Sequence, residues 1–331
     1  MNTEQAISLR SVRKTFGAKV AVEGIDLDIP AGSLVGLIGP NGAGKTTTIR
    51  MIMAILFPDS GELSVLGRKS AVESKDRIGY LPEERGVYKK MKVGPFLRYM
   101  ARLKGVSPRG LNDRIAGWLE RVELPGVWNK KCEELSKGMQ QKVQFISAVL
   151  HEPDLLILDE PFSGLDPVNM RLLRDLFRAE HERGATIIFS THVMAQAQQL
   201  CDHIVMIHNG RKVLDDTVRD IRARAAPRAL WFEPLNGDSG TASVEALPMI
   251  EGVRFTEGHF EARLVDGADP AAAVAAVASA APMARVEVHR PTLEDIFIDI
   301  VKGKGDSGED LRAALRAGAP AGPIDAEEVA R

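Results

Sequence analysis

Leu34-Val35-Gly36-Leu37-Ile38-Gly39-Pro40-Asn41-Gly42-Ala43-Gly44-Lys45-Thr46 is the stretch that decides the fold. Its first five residues are an apolar run bounded by turn residues, which reads as a buried strand. The next eight fit G-x-x-x-x-G-K-[ST]. From Thr46 to Leu56 the apolar residues Ile49, Met51, Ile52, Met53, Ile55 and Leu56 follow with no Gly or Pro between them, so a largely buried helix is expected. A strand, a glycine-rich turn and a helix start in that order form a cradle for phosphate. Backbone N–H groups can curl around its oxygens, and the helix N-terminus adds a positive dipole end. Lys45 would reach the β- and γ-phosphates and Thr46 would offer its hydroxyl to Mg²⁺. The nucleotide contacts expected here are Gly39, Pro40, Asn41, Gly42, Ala43, Gly44, Lys45, Thr46 and Thr47.

Further along, Leu155-Leu156-Ile157-Leu158-Asp159-Glu160 is an apolar strand ending in two carboxylates. Thr186 to Phe189 is a second such strand, and the helix-like run Arg171 to Glu182 lies between them. Apolar strands separated by helices imply a buried parallel sheet, whose C-terminal edge would carry both the phosphate loop and the acid pair. Asp159 would hold Mg²⁺ and Glu160 would orient the attacking water. Upstream, Ile7 to Val12, Val20 to Asp28 and Leu63 to Leu66 read as strands with turn punctuation, and Arg77 to Leu81 as another. From Val93 to His151 the pattern becomes helical, as an insert in the α/β domain, with a final helix over Met139 to His151. His203 to His208 reads as the last strand of this part, ending at the Asn209-Gly210 turn.

The chain has 331 residues, which suggests about two domains. A boundary is expected between Ala225 and Ala229, giving one domain over 5–225 with its helical subdomain at about 93–151, and a second over 229–302. In the second the order β-α-β-β-α-β is the ferredoxin-like pattern, followed by a helix from Thr292. Lys304 to Arg331 alternates Gly, Ala, Pro and charge without an apolar face and is expected to be a mostly disordered tail. Hydrophobic residues at 44% and charged ones at 27% exclude a disordered or collagenous chain. A net charge of −2 gives no basic field for nucleic acid, and none is expected as partner. Cys132 and Cys201 are too few for a disulfide framework or a zinc site. Met1 to Arg10 lacks the apolar run of a secretory signal. The charge-free, mostly alanine stretch Pro270 to Ala284 is shorter than the roughly 18 to 20 residues a bilayer crossing needs.

Four further motifs carry a family resemblance. Leu135-Ser136-Lys137-Gly138-Met139-Gln140 resembles the signature L-S-G-G-Q of the ATP-binding-cassette (ABC) ATPases. Ser163-Gly164-Leu165-Asp166 resembles their D-loop, Thr191-His192 their switch histidine, and Phe16 stands where they stack an aromatic on adenine. The likeness spans roughly residues 5 to 220. It implies a P-loop NTPase cassette: a parallel-sheet core, an antiparallel N-terminal subdomain and a helical insert, here followed by the small α+β domain. It also implies ATP and Mg²⁺ as cofactors and a head-to-tail dimer, with a homodimer expected. Each ATP would lie between the phosphate loop of one subunit and Ser136 and Gly138 of the other. His192 would contact the γ-phosphate and Asp166 would couple the two sites. Read from the residues alone, Ser136 and Gly138 at a helix start are a second anion-binding N-terminus.

The family's glutamine after Ile78-Gly79-Tyr80-Leu81-Pro82 is replaced by Glu83, which can still reach Mg²⁺ or water but adds negative charge. Lys137 and Met139 depart from the signature, and Lys137 is either an added phosphate contact or a solvated lysine. The run from Glu83 to Lys92 and the C-terminal unit resemble an export-type branch that includes sodium-efflux and drug-resistance ATPases. The resemblance therefore implies an ATP-hydrolysing subunit driving a separate integral-membrane permease from the inner face of the cell membrane. The alternative is a soluble ABC ATPase with an assembly or regulatory role and no permease.

Overall fold

The computed structural model describes residues 5–84, 86–224, 229–235, 237, 240–256 and 258–302. The chain forms two compact units that divide after Thr217. The first opens with β1 (Gln5–Phe16) and β2 (Lys19–Pro30). In β2, Val22, Ile25, Leu27 and Ile29 are buried while Asp26 and Asp28 face water, the two-residue period of a sheet with one apolar face. There follow β3 (Leu34–Ile38), α1 (Lys45–Ile52), β4 (Ser60–Val65) and β5 (Ile78–Leu81). The helical insert is α2 (Val93–Leu103), α3 (Leu111–Arg121) and α4 (Lys137–Val149). Then come β6 (Leu155–Asp159), α5 (Pro167–Glu182), β7 (Thr186–Thr191), α6 (Met194–Leu200), β8 (His203–His208) and β9 (Arg211–Thr217).

β4 joins the first hairpin in a three-stranded antiparallel sheet of order β2-β1-β4. The main sheet runs β5-β6-β7-β3-β8-β9, parallel except for β9. Every residue of β3, β6 and β7 is buried, as strands covered on both faces must be. Parallel pairing brings the C-terminal ends Leu81, Asp159, Thr191 and Ile38 to one edge, where the glycine-rich loop and the acid pair also lie. A run of aromatic contacts fastens the insert to the sheet. Trp118 on α3 meets Phe145 on α4, Phe145 meets Phe177 on α5, and Phe162 touches both Phe177 and Phe189 of β7, with ring centres 5.3 to 6.0 Å apart. Burying each such ring is worth about 1.5 to 3 kcal/mol, and the edge contacts add orientation.

Three elements of the first unit differ from the sequence expectation. The first helix ends at Ile52, not Leu56. Ala54 adopts φ 54°, Ile55 and Leu56 both donate their N–H to the Arg50 carbonyl, and Ile55 is left exposed. This is a left-handed helix stop made without a glycine, so no local residue announces it. Asn209 (φ 47°) and Gly210 (φ 73°) turn the chain back into β9, making β8 the first arm of a hairpin and not the last strand. The short α6 has no counterpart in the sequence reading.

The second unit contains α7 (Val218–Arg224), β10 (Ala229–Pro234), α8 (Thr241–Glu245), β11 (Ile250–Thr256), β12 (His259–Leu264), α9 (Pro270–Ala280), β13 (Met283–His289) and α10 (Leu293–Lys302). Its sheet order is β11-β12-β10-β13, all antiparallel, which is the ferredoxin-like split β-α-β. Leu230 and Phe232 of β10 pack with Ala262, Val244, Ala273 and Val277 in its core. The expected boundary residues 225–228 and the expected tail 304–331 lie outside the described residues. Among the described residues no helix is long and apolar enough to cross a membrane.

His151, just after α4, donates through Nε2 to the Ile78 carbonyl at 3.1 Å, and Lys104 Nζ donates to the same oxygen at 2.8 Å. Burial, with the Lys104 charge beside it, pushes the imidazole down to about 4. The folded protein thus holds His151 neutral where the unfolded chain takes up a proton. Its contribution is complete above about pH 6.5 and is lost as pH falls towards about 4, amounting to about 2 to 3 kcal/mol. Urea unfolding across that range should show stability falling with acid, and His151→Gln should flatten the slope. An identical acid slope in the variant would remove His151 from the account.

Candidate active site

The phosphate loop leaves the buried end of β3 and is shaped by close backbone approach. A side chain on Gly39 (φ 153°) would place its first carbon 2.1 Å from the Ile207 carbonyl oxygen, and one on Gly44 (φ 109°) 2.5 Å from that of Ala21. Only glycine fits either position. Gly44 also begins α1 without a side-chain cap, and the first turn holds no acid. The N–H groups of that turn, from Lys45, Thr46 and Thr47, are therefore left for an anion.

Lys45 is 5% exposed. Its Nζ donates to the carbonyls of Gly39 at 2.8 Å and Pro40 at 3.2 Å and lies 3.6 Å from Glu160 Oε1. Burial lowers the ammonium pKa, while Glu160 and Asp159 act to raise it. Asp159, 1% exposed, ends β6. Its Oδ1 accepts from Ser190 at 2.5 Å and from Thr46 Oγ1 at 3.4 Å. Burial raises its carboxyl pKa, and the Ser190 hydrogen bond opposes the rise. Glu160 takes φ 47°, a left-handed backbone that turns the chain away from the strand. Both of its carboxylate oxygens lie 3.1 Å from His192 Nδ1. The Glu160 carboxylate raises the His192 pKa, favouring the imidazolium. Glu83, after β5, keeps contact with water; partial burial and then the charges of Asp159 and Glu160 hold its carboxyl above the usual range.

The structure thus brings Lys45, Thr46, Asp159, Glu160 and His192 into one cluster, with the charge of Glu83 acting on it. The oxygens of Thr46 and Asp159, 3.4 Å apart, suit a small hard cation, with Glu83 acting on Asp159 through its charge, and the glycine cradle with Lys45 suits a polyphosphate. Ser136, Gly138 and Asp166 form a second group. Ser136 Oγ caps α4 by accepting the Met139 N–H at 3.3 Å. A side chain on Gly138 would meet Leu165 and Asn169 at ordinary contact distances, 3.5 and 3.6 Å. Asp166 caps α5, accepting from the N–H groups of Val168 and Asn169 at 3.0 and 2.9 Å and from the Asn169 side chain. These bonds, led by the Asn169 N–H, lower its pKa. Phe16, at the end of β1, presents an exposed ring with Lys14 Nζ 5.6 Å from its centre.

Sequence reasoning missed three participants. Ser190 of β7 bridges Asp159 and Glu160, and the pairing of Asp159 with Ser190 in the parallel register is the signal that would have found it. Gln141 and Gln144 of α4 are buried and donate to the carbonyls of Pro161 and Glu84, each at 3.2 Å. Two amides set among Val143, Phe145 and Ile146 in the sequence of the helix were the available hint.

Comparison with known proteins identifies the family. A family model described as ABC transporter matches residues 22–163, and one described as the C-terminal domain of ATP-binding protein DrrA1-3-like matches 217–301. The ABC transporter ATP-binding protein YhaQ of Bacillus subtilis (strain 168) is 40% identical over 295 residues, covering 89% of this chain and 98% of the relative. The chain belongs to the ABC transporter ATP-binding proteins. The Nod factor export ATP-binding protein I of Burkholderia lata is 36% identical over 227 residues, 68% of this chain and 72% of that one. A solved ATP binding subunit of an ABC transporter superposes with TM-score 0.62 at 33% identity, over 66% of this chain and 92% of its own. The architecture is that of an ABC ATPase cassette, and the family is one of ATP-binding ATPases.

Because Lys45 is the buried cation of the loop, Lys45→Ala should weaken ATP binding by about 10- to 150-fold, the worth of one hydrogen bond to a charged group. Calorimetric titration with ATP checks this, and an unchanged affinity would refute the assignment.

Proposed function

We propose that this cassette is the ATP-hydrolysing subunit of an ABC-type exporter, working as a homodimer around two Mg-ATP and driving a separate permease. The observation that carries the proposal is the cluster at the sheet edge: one buried cation beside the loop, one buried carboxylate held by two hydroxyls, and a second carboxylate paired with a histidine. The loop amides and Lys45 bind and orient the β- and γ-phosphates. Thr46, Asp159 and Glu83 would hold Mg²⁺, which supplies positive charge to the phosphate oxygens when bound. Glu160 orients a water for attack on the γ-phosphorus and takes its proton as the bond to ADP breaks, yielding ADP and phosphate. His192, now on Glu160, is placed to turn to the γ-phosphate. Phe16 offers its open face to adenine.

The dimer is supported by the second group. A side chain at 138 would meet Leu165 and Asn169 only at ordinary contact distances, so the bare backbone at the start of α4, beside Ser136, is open to an outside group. The second subunit's ATP would be bound there by the helix N-terminus. Asp166 sits at the same exposed surface, next to Val168 at 73% exposure, where it would couple the two sites. For the permease, Tyr88, Tyr99 and Leu103 are exposed, and the Tyr88 ring lies 6.0 Å from that of Tyr99. An uncovered aromatic patch of this kind is a surface for a protein partner. The export direction is supported by the Nod factor export relatives, one of which matches over 88% of this chain. The complex would lie on the inner face of the cell membrane.

Glu160→Gln keeps the side chain's shape but removes the base. It should bind ATP, hydrolyse it at least about 100-fold more slowly and accumulate as dimer by light scattering; wild-type turnover would take Glu160 out of the chemistry. The same variant, tagged and recovered from detergent-solubilised membranes with Mg-ATP, should bring down a polytopic membrane protein in stoichiometric amount by mass spectrometry. Recovery of only itself or soluble partners would favour the assembly or regulatory ATPase instead.

A further inference from the structure

We infer that Ser190 is a positioning residue that locks the metal-binding carboxylate and the water-orienting glutamate into one geometry, an inference that rests on the ATPase reading of the site. Ser190 is fully buried at the end of β7, directly opposite Asp159 in the parallel pairing of β6 with β7. Its hydroxyl serves both acids at once. Oγ donates its proton to Asp159 Oδ1 at 2.5 Å and accepts the backbone N–H of Glu160 at 3.0 Å. A serine hydroxyl has one proton to give and lone pairs to receive, so this direction is the one that satisfies an ionised carboxylate on one side and an amide on the other.

Two consequences follow. Asp159 Oδ1 is taken by Ser190 and by Thr46, which fixes the carboxylate plane and leaves Oδ2 for a cation. On the other side, Glu160 is a non-glycine residue in left-handed backbone, φ 47°, a conformation that persists only where its surroundings hold it. The Ser190 oxygen anchors its N–H, and two residues beyond Ser190, His192 holds the Glu160 side chain. The two acids are adjacent in sequence, yet their angle is set from the neighbouring strand. In metal sites such outer partners typically govern affinity or rate by about 10- to 100-fold.

The test is Ser190→Ala in the full-length protein, with ATP affinity measured by calorimetry in EDTA and again in excess Mg²⁺, beside steady-state hydrolysis and a thermal melt. The expected result is metal-free ATP affinity within about twofold of wild type, while the gain in affinity from Mg²⁺ and kcat each fall by about 10- to 100-fold. Ser190→Thr, which keeps the hydroxyl on a strand-favouring residue, should recover most of both. A cycle with Asp159→Asn separates positioning from general packing. If Ser190 acts through Asp159, its removal should cost the Mg²⁺-dependent gain little further in the Asp159→Asn background, and full additivity would overturn the inference. An unchanged Mg²⁺ gain in Ser190→Ala would also overturn it, as would a loss that follows only the melting temperature. Should Ser190→Ala not fold, Ser190→Cys, similar in shape and a weak donor, carries the same comparison. A wild-type protein that neither binds ATP more tightly with Mg²⁺ nor hydrolyses it would instead refute the ATPase reading itself.

Discussion

The parallel pairing of β3, β6 and β7 is the constraint on which the rest depends. Parallel strands end level, so three chain segments far apart in sequence reach the same edge: Gly39 after β3, Glu160 after β6 and His192 after β7. Such pairing demands that both faces be covered, which explains the continuous burial of these strands and the helices around them. A loop alone could not hold Lys45, Asp159 and Glu160 in place; three strands locked by hydrogen bonds and apolar packing can.

That edge concentrates buried charge. Lys45, Asp159 and Glu160 are all less than a tenth exposed, and each alone would cost several kcal/mol to bury. They are kept by mutual pairing and by the Ser190 and Thr46 hydroxyls and the Gly39 and Pro40 carbonyls. The arrangement is satisfied internally, yet every contact Lys45 makes is one that a phosphate could replace. Ligand binding can therefore exchange one set of partners for another without exposing a bare charge. The two buried glutamines extend this order, since α4 is tied by Gln144 to the loop bearing Glu84 and by Gln141 to the residue after Glu160. The helix that begins at Ser136 thus reports to both acid-bearing loops.

How much of this was legible beforehand depended on the range of the interaction. The phosphate loop, the acid pair, the buried strands and the split β-α-β order of the second unit were all readable, because each is written in residues close together in sequence. The stop at Ala54 was not, because a left-handed alanine has no side-chain signature and is imposed by its surroundings. β9 was missed because its residues, Arg211 to Thr217, mix charge and apolar character at the sheet's edge, where pairing with β8 supplies what the pattern does not.

The residue types alone set the chemistry on offer. Local pattern places a glycine cradle and lysine after one strand, two acids after another and a histidine after a third, and those residue types fit few tasks other than nucleotide hydrolysis. Tertiary structure decided how those groups face each other. That Glu160 rests on His192 and Lys45, and that Ser190 stands between Asp159 and Glu160, depends on strand order and register across some thirty to more than a hundred residues of chain. Those are long-range pairings, chosen by burial of the whole sheet and not by the residues beside each group.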